Sequence, residues 1–325
     1  MVSKRMVVFL VWMVSVPVSV ARAQDPAAGA DVVSLRFNWP ANIGIGVSFA
    51  SRQVREQPGV STDISIQGHY QISVVDHPQG LRVMQSGLET TLFESIPTMP
   101  PPVETLYRNL AALSPDYVVS ADGALIGVDG LDQLAASVRD SMAPLFEAAG
   151  PQAAGVRGMV DEMLSEDALF AQIQEEWNAM VGTWVGADFE LGVGYVLEES
   201  VPIPMFPDMS LPMRYSFEAS ERGPCAAGAA ENSCVRLRME SAPDEAQLAA
   251  FVERFVARVG GELADAEGAI GQLSRVDTIE LLAEPGTLLP HELTVTMEIG
   301  AAISGLAPGG SPFRRYRETR YRFGY

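Results

Sequence analysis

The sequence predicts an α+β fold in which a curved antiparallel sheet carries helices packed on one face. Three observations lead there. Apolar and polar residues alternate through long stretches, as at Ile64, Ile66, Tyr70 and Ile72, and a period of two marks strands with one buried and one wet face. Turn-forming residues separate these stretches. Apolar stripes at three-to-four-residue spacing then interrupt them, which is the pattern of helices lying on a core.

Taken in order, Val33, Leu35 and Phe37 share one face of a first strand, and Ile43, Ile45, Val47 and Phe49 share one face of a second. Residues 62–75 and 81–96 read as two long strands turning at His77-Pro78-Gln79-Gly80. Pro97 and Pro100 to Pro102 stop this meander, and Pro102 suits the first turn of a helix that buries Leu106, Leu110 and Leu113. Residues 117–120 and 124–127 then form a hairpin around Asp122-Gly123, the glycine supplying a positive φ.

Leu131, Leu134, Val138, Met142 and Leu145 make one apolar stripe, broken at Gly150-Pro151. A second helical stretch spans 156–181, with Phe170, Ile173 and Trp177 on its stripe and Ser165 placed to cap a restart. Phe189, Leu191, Val193 and Tyr195 return to alternation. Pro243 and Asp244 open a last helix, which buries Leu248, Phe251, Phe255 and Val259 and ends at Gly260-Gly261. Three final strands cover 276–283, 293–299 and 313–325, with Tyr321, Phe323 and Tyr325 on one face. Strands, helix and strands recur on either side of residue 185. Residues 31–325 therefore read as a single α+β domain, or as two similar halves split near 185.

Residues 1–23 have the three parts of a secretory signal peptide. Lys4 and Arg5 precede an apolar run over 6–20, and Ala21-Arg22-Ala23 places small residues before a cut between Ala23 and Gln24. The run is short for a membrane span. No cysteine lies near the cut to accept a lipid, and 24–30 is a flexible tail of small residues. The chain is expected to be exported, periplasmic or extracellular, and soluble after cleavage, with no transmembrane anchor left.

The formal net charge is −19, and it becomes more negative once Lys4, Arg5 and Arg22 leave with the leader. Such a balance argues against nucleic acid, which needs a positive footprint, and against anionic membrane surfaces. Lys4 is the only lysine, so Schiff-base and phosphate-loop lysines are excluded from the mature chain. Cys225 and Cys234 flank the turn-rich stretch 226–233 between two candidate strands. That places a disulfide across a hairpin, as an exported address permits. A metal pair competes with it but needs further ligands, and His291 is remote in sequence.

No Gly-x-Ser-x-Gly elbow occurs, and the three histidines His69, His77 and His291 show no metal-binding spacing. They read as surface or turn residues. Asp122, Asp129 and Asp132 lack the alternating ligands of a calcium loop and read as turn formers and caps. Glu175 and Glu176, beside Trp177, offer a carboxylate pair. Adjacent helix positions diverge by about 100°, however, and a glycosidase needs carboxylates converging across a cleft. No catalytic residue, metal or cofactor is expected.

One candidate binding segment remains. In the proline-rich stretch 201–212, Ile203, Met205, Phe206, Met209 and Leu211 are interleaved with prolines that hold the chain extended. Met side chains adapt to varied shapes, so the segment suits a lid or cavity lip as well as a loop packed on its own domain. The C-terminal 313–325 is the one basic patch, and reads as a last strand whose arginines meet the acidic remainder.

The stretch 117–123, the stretch 176–186 and the Tyr-rich closing strand resemble uncharacterised exported β-rich bacterial proteins of the domain-of-unknown-function type. That resemblance implies no activity. A looser fold-level similarity, to periplasmic lipoprotein carriers, implies a curved sheet and helices around an apolar cavity. The expectation is a non-enzymatic envelope protein binding an apolar small molecule or lipid. The alternative is a scaffold or assembly factor engaging another envelope protein, with a hydrolase third.

Overall fold

The computed structural model describes residues 31–57, 60–94, 116–149, 157, 158, 161, 164–203, 206–244, 248, 270–303 and 311–325. The expected leader, the helix expected to start at Pro102 and, beyond Asp244, all of the helix expected from Pro243 except Leu248 lie outside them, and Pro243 itself closes a strand.

The strands are β1 (Val32–Ser34), β2 (Ile43–Gln57), β3 (Val60–His77), β4 (Gly80–Glu94), β5 (Asp116–Ser120), β6 (Leu125–Asp129), β7 (Asp188–Glu190), β8 (Gly194–Ile203), β9 (Phe206–Gly223), β10 (Cys234–Pro243), β11 (Ile270–Ala283), β12 (Pro290–Ile303) and β13 (Ser311–Gly324). Two α-helices are described, α1 (Leu131–Ala149) and α2 (Glu166–Trp177), the second continuing into a π-turn over Asn178–Gly182. The expectation of an α+β fold with a helical layer is therefore corrected. The protein is predominantly β, built on one antiparallel sheet of 11 strands in the order β6-β5-β4-β3-β2-β13-β12-β11-β10-β9-β8. β1 and β7 pair separately.

The physical reason is strand length. β2, β3, β4, β9, β11, β12 and β13 each run 14 to 18 residues, far beyond the usual five or six. Alternation covers β3, β4 and β13 almost fully but only part of β2, β9, β11 and β12. On β2 the apolar series Ile43, Ile45, Val47, Phe49 gives way on the same face to Ser51, Gln53 and Arg55, where a search for apolar residues stops.

The chain forms two meanders, β2 to β6 and β8 to β13, joined where β13 pairs with β2 from Arg314↔Glu56 to Gly324↔Gly46. The sheet curves. Glu176, on α2, interacts with Tyr117 of β5 and with Arg317 of β13, while its neighbour Glu175 interacts with Arg275 of β11. A flat sheet would hold β5 and β11 roughly 30 Å apart at the normal strand spacing. Only a sheet wrapped around α2 brings both to adjacent residues of one helix.

Ser165 caps α2 as its position suggests, accepting a hydrogen bond from the Ala168 amide at 3.3 Å. Leu169, Ile173 and Trp177 form its buried stripe. Trp177 packs edge-on against Trp39, Phe37 and Tyr117, and Trp184 does so against Phe217. These rings plug one end of the curve above the buried residues Ile45, Val47, Ile72, Leu237 and Leu281. Among the described residues the three indole N–H groups are satisfied: Trp39 donates to Leu288 O, Trp177 to Gly123 O and Trp184 to Ala179 O.

Candidate functional site on the inner face of the sheet

Residues facing α2 can be followed along each strand by burial. On β13, Phe313 is buried, Arg315 half-buried, Arg317 exposed, Thr319 buried, Tyr321 half-buried and Phe323 buried. On β12, Val295 and Met297 are half-buried between buried Leu293 and Ile299. The inner face thus mixes buried and accessible positions, with Arg315 and Arg317 accessible between buried Phe313 and Thr319. Glu176 adds to this face from the helix, keeping accessible surface while burial is the first cause that raises its carboxyl.

The lining changes character by cross-strand rows. The lower row pairs Phe49 with Tyr321 and Tyr321 with Leu293. Four residues further along, Gln53 pairs with Arg317, Arg317 with Met297 and Met297 with Asp277. An apolar floor therefore passes into a belt of acids, arginines and phenols. Between these rows Ser51 Oγ and Thr319 Oγ1 are hydrogen-bonded at 3.0 Å, which lets two hydroxyls lie in a nearly closed layer. Gly68 sits opposite Phe49, and a Cβ there would come within 2.7 Å of the Phe49 ring. Next to it the ladder between β3 and β4 slips, leaving Tyr70 opposite a bulge between His69 and Gln71. Such bulges re-aim side chains near sites.

The two neighbouring glutamates serve opposite walls, as the angle between adjacent helix positions requires. Glu175 faces Arg275 and Asp277 of β11. Burial pushes its carboxyl up to about 7, partly offset by Arg275 and reinforced by Asp277. Glu176 is also raised by burial, offset by Arg317 and by the Tyr117 hydroxyl, which donates to Glu176 Oε2 at 3.4 Å. Gln85 Nε2 donates in turn to Tyr117 Oη at 3.2 Å. Asp277 is raised by burial although Arg275 Nε donates to its Oδ2 at 2.7 Å. Burial raises Tyr215 and Tyr321 to about 12, and Tyr70 and Tyr117 rise by the same cause. The phenols therefore stay neutral donors at physiological pH, and Glu175 is poised to take a proton.

The proline-rich stretch is the outer hairpin of the sheet. Its prolines do not prevent a ladder: Pro202 pairs with Ser210, Ser200 with Pro212 and Ile203 with Phe206. β8 is an edge strand, where a missing N–H is tolerated. Of the five candidate residues, Leu211 is buried in the core. Met205 lies outside the described residues, and so do the side chains of Ile203, Phe206 and Met209.

Other sequence expectations find their places. Cys225 and Cys234 form the disulfide. Asp122 bonds Ser120 in its turn, and Asp129 pairs with Arg82 at 3.0 Å. The closing strand divides its arginines: Arg314, Arg320 and Arg322 meet Glu298, Glu318 and Glu292, while Arg315 and Arg317 share the inner face with Tyr321. His69 is exposed beside Glu89, and His77 accepts from the Gln79 amide in its turn. His291 departs from its surface reading, because its side chain is largely buried, 12% exposed, beside the disulfide. Sequence separation hid that approach. No helix among the described residues is long and apolar enough to cross a membrane.

No protein-family model matches the chain, and no curated protein matches it. Two solved structures are similar in part. One, titled as lipid–protein interactions in lipovitellin, shares 8% identity and a TM-score of 0.38 over 87% of this chain. The chain spans 25% of that protein's length. The other, DynF from the dynemicin biosynthesis pathway of Micromonospora chersina, shares 11% identity and a TM-score of 0.20, covering 95% of this chain and 92% of its own.

Proposed function

We propose that this is a non-enzymatic exported protein that holds an amphipathic small molecule in the chamber between α2 and the sheet. The observation that carries this reading is the electrostatic influence of Arg317, on β13, upon Glu176, on α2. Both keep accessible surface. Apolar parts of the ligand rest on Val295 and Met297, and its polar head meets Arg317, Glu176 and the neutral phenols. Pockets of this kind combine apolar lining with a few placed polar groups. The acids already face arginines or a phenol, which supports holding over turnover. The disulfide suits an oxidising compartment outside the cytoplasm.

The test is extraction of protein purified from the cell envelope, with mass spectrometry of what is released. A stoichiometric amphiphile, lost when Met297→Trp fills the chamber, supports the reading. An empty extract together with no displacement of a fluorescent fatty-acid probe overturns it. Turnover abolished by Glu175→Gln or Glu176→Gln would instead mark an enzyme.

A further inference from the structure

Away from that face, one set of metal-binding side chains comes together among the described residues. The sulfur atoms of Cys225 and Cys234 and one ring nitrogen of His291 all lie within 4.8 Å of one another. Cys234 is fully buried at the start of β10 and His291 lies at the start of β12. The ladder between β11 and β12 is irregular between Leu282 and Ala283, where Ala283 pairs with Pro290, and this slip sets where the next residue, His291, stands. Behind the imidazole, Glu284 Oε1 lies 3.3 Å from His291 Nε2. Thr287 Oγ1 donates to the other carboxylate oxygen of Glu284 at 2.9 Å. A carboxylate that orients a histidine in this way is the usual outer support of a metal-bound imidazole.

In the oxidised protein both sulfurs are committed to the S–S bond. A thiolate is a metal ligand, whereas a disulfide sulfur offers His291 only a weak acceptor. We propose that reduction of Cys225–Cys234 opens a zinc site whose ligands are the two thiolates and His291, with Glu284 holding the ring. Sulfur and imidazole ligands together select zinc among the common divalent cations.

The chemistry balances as two steps. A dithiol reductant delivers two electrons and two protons, the Sγ–Sγ bond breaks, two thiols form, and the reductant leaves as its own disulfide. On binding Zn²⁺ the two thiols release their protons to solvent. The thiolates and the neutral imidazole then occupy three positions and water the fourth. A disulfide oxidant then takes two electrons from the thiolates and two protons from solvent, leaves as its own dithiol, and the reformed Sγ–Sγ bond releases Zn²⁺. The β9–β10 hairpin is stapled in both states, covalently in one and by the metal in the other.

The test uses the full mature chain, either oxidised or reduced with a water-soluble phosphine, which becomes its oxide with oxygen from water. Cobalt(II) is titrated first and zinc second. The reduced chain is expected to bind one equivalent with a thiolate-to-cobalt charge-transfer band in the near ultraviolet, which zinc bleaches. The oxidised chain gives no band. Cys225→Ser removes most of the band, and His291→Ala and Glu284→Gln each weaken zinc binding by about tenfold or more. Thermal unfolding controls for a chain destabilised by reduction, since zinc then restores the lost stability. Absence of a stoichiometric band, a His291→Ala variant that binds as tightly as the parent, or a reduced chain that zinc fails to stabilise overturns the proposal.

Discussion

The indole Nε1 of Trp177 donates to the carbonyl oxygen of Gly123 at 2.8 Å, tying the last turn of α2 to the β5–β6 hairpin. The bond joins the helix that carries Glu175 and Glu176 to a strand pair 54 residues away. Gly123 has φ +89°, and a Cβ there would meet the Phe37 side chain at 2.7 Å, so the turn is closed over the aromatic plug.

Trp177→Phe keeps the ring packing but strands the buried carbonyl. It is expected to cost about 1–3 kcal/mol. Gly123→Ala forces a left-handed conformation and a clash, and is expected to cost at least about 1 kcal/mol. Urea unfolding of both variants measures these losses. A neutral Trp177→Phe variant would show that the hydrogen bond does not anchor the helix.

Stability should fall as pH rises through the range where Glu175 titrates. Its folded value of about 7 lies above the ordinary carboxyl value of 4.5, so between them the native state holds a proton that the unfolded chain has released. By linkage, the protonated form's advantage is complete below about pH 4.5 and is lost by about pH 7. Glu175→Gln removes this dependence. The variant is expected to be more stable than the parent at pH 8, by on the order of 1–3 kcal/mol, and equal to it near pH 4.5. Chemical denaturation at both pH values checks the sign.

Ser51 and Thr319 form a second measurable pair. Thr319→Val leaves the Ser51 hydroxyl short of its partner in a buried layer, at a cost of about 1–2 kcal/mol. Ser51→Ala combined with Thr319→Val should cost less than the sum of the two single changes. A double-mutant cycle therefore returns a coupling of roughly 0.5–1 kcal/mol.

Replacing Cys225 and Cys234 together by serine removes the cross-link over a separation of 9 residues. The expected loss is about 2–3 kcal/mol in the chain-entropy model. Without zinc, the reduced parent chain should unfold at the same denaturant concentration as this double variant.

The lower half of the molecule was open to reading from residues alone. Ile45, Val47, Leu293 and Phe323 alternate in the strands they occupy, Asp122-Gly123 turns the hairpin, Ser165 caps α2, and the two cysteines pair. The chamber was not open in the same way. Its lining residues Ser51, Gln53, Arg317 and Asp277 are polar on a face that reads as inward only when strand register is known. On β2 a polar inner row ends the apolar alternation at Phe49, so that strand reads short. Glu175 and Glu176 were noticed as a pair, but which wall each serves depends on the curvature of the sheet.

The sequence by itself determined the local units: the alternating strand cores, the turns, the capped helix, the disulfide and an acidic net charge. These depend on contacts between near neighbours. Only the tertiary structure decided that the strands join into one sheet, that Glu176 faces Arg317, and that His291 reaches a disulfide more than 50 residues before it. Each is set by inter-strand register and sheet curvature, which arise from packing across the whole chain and leave no periodic trace along it.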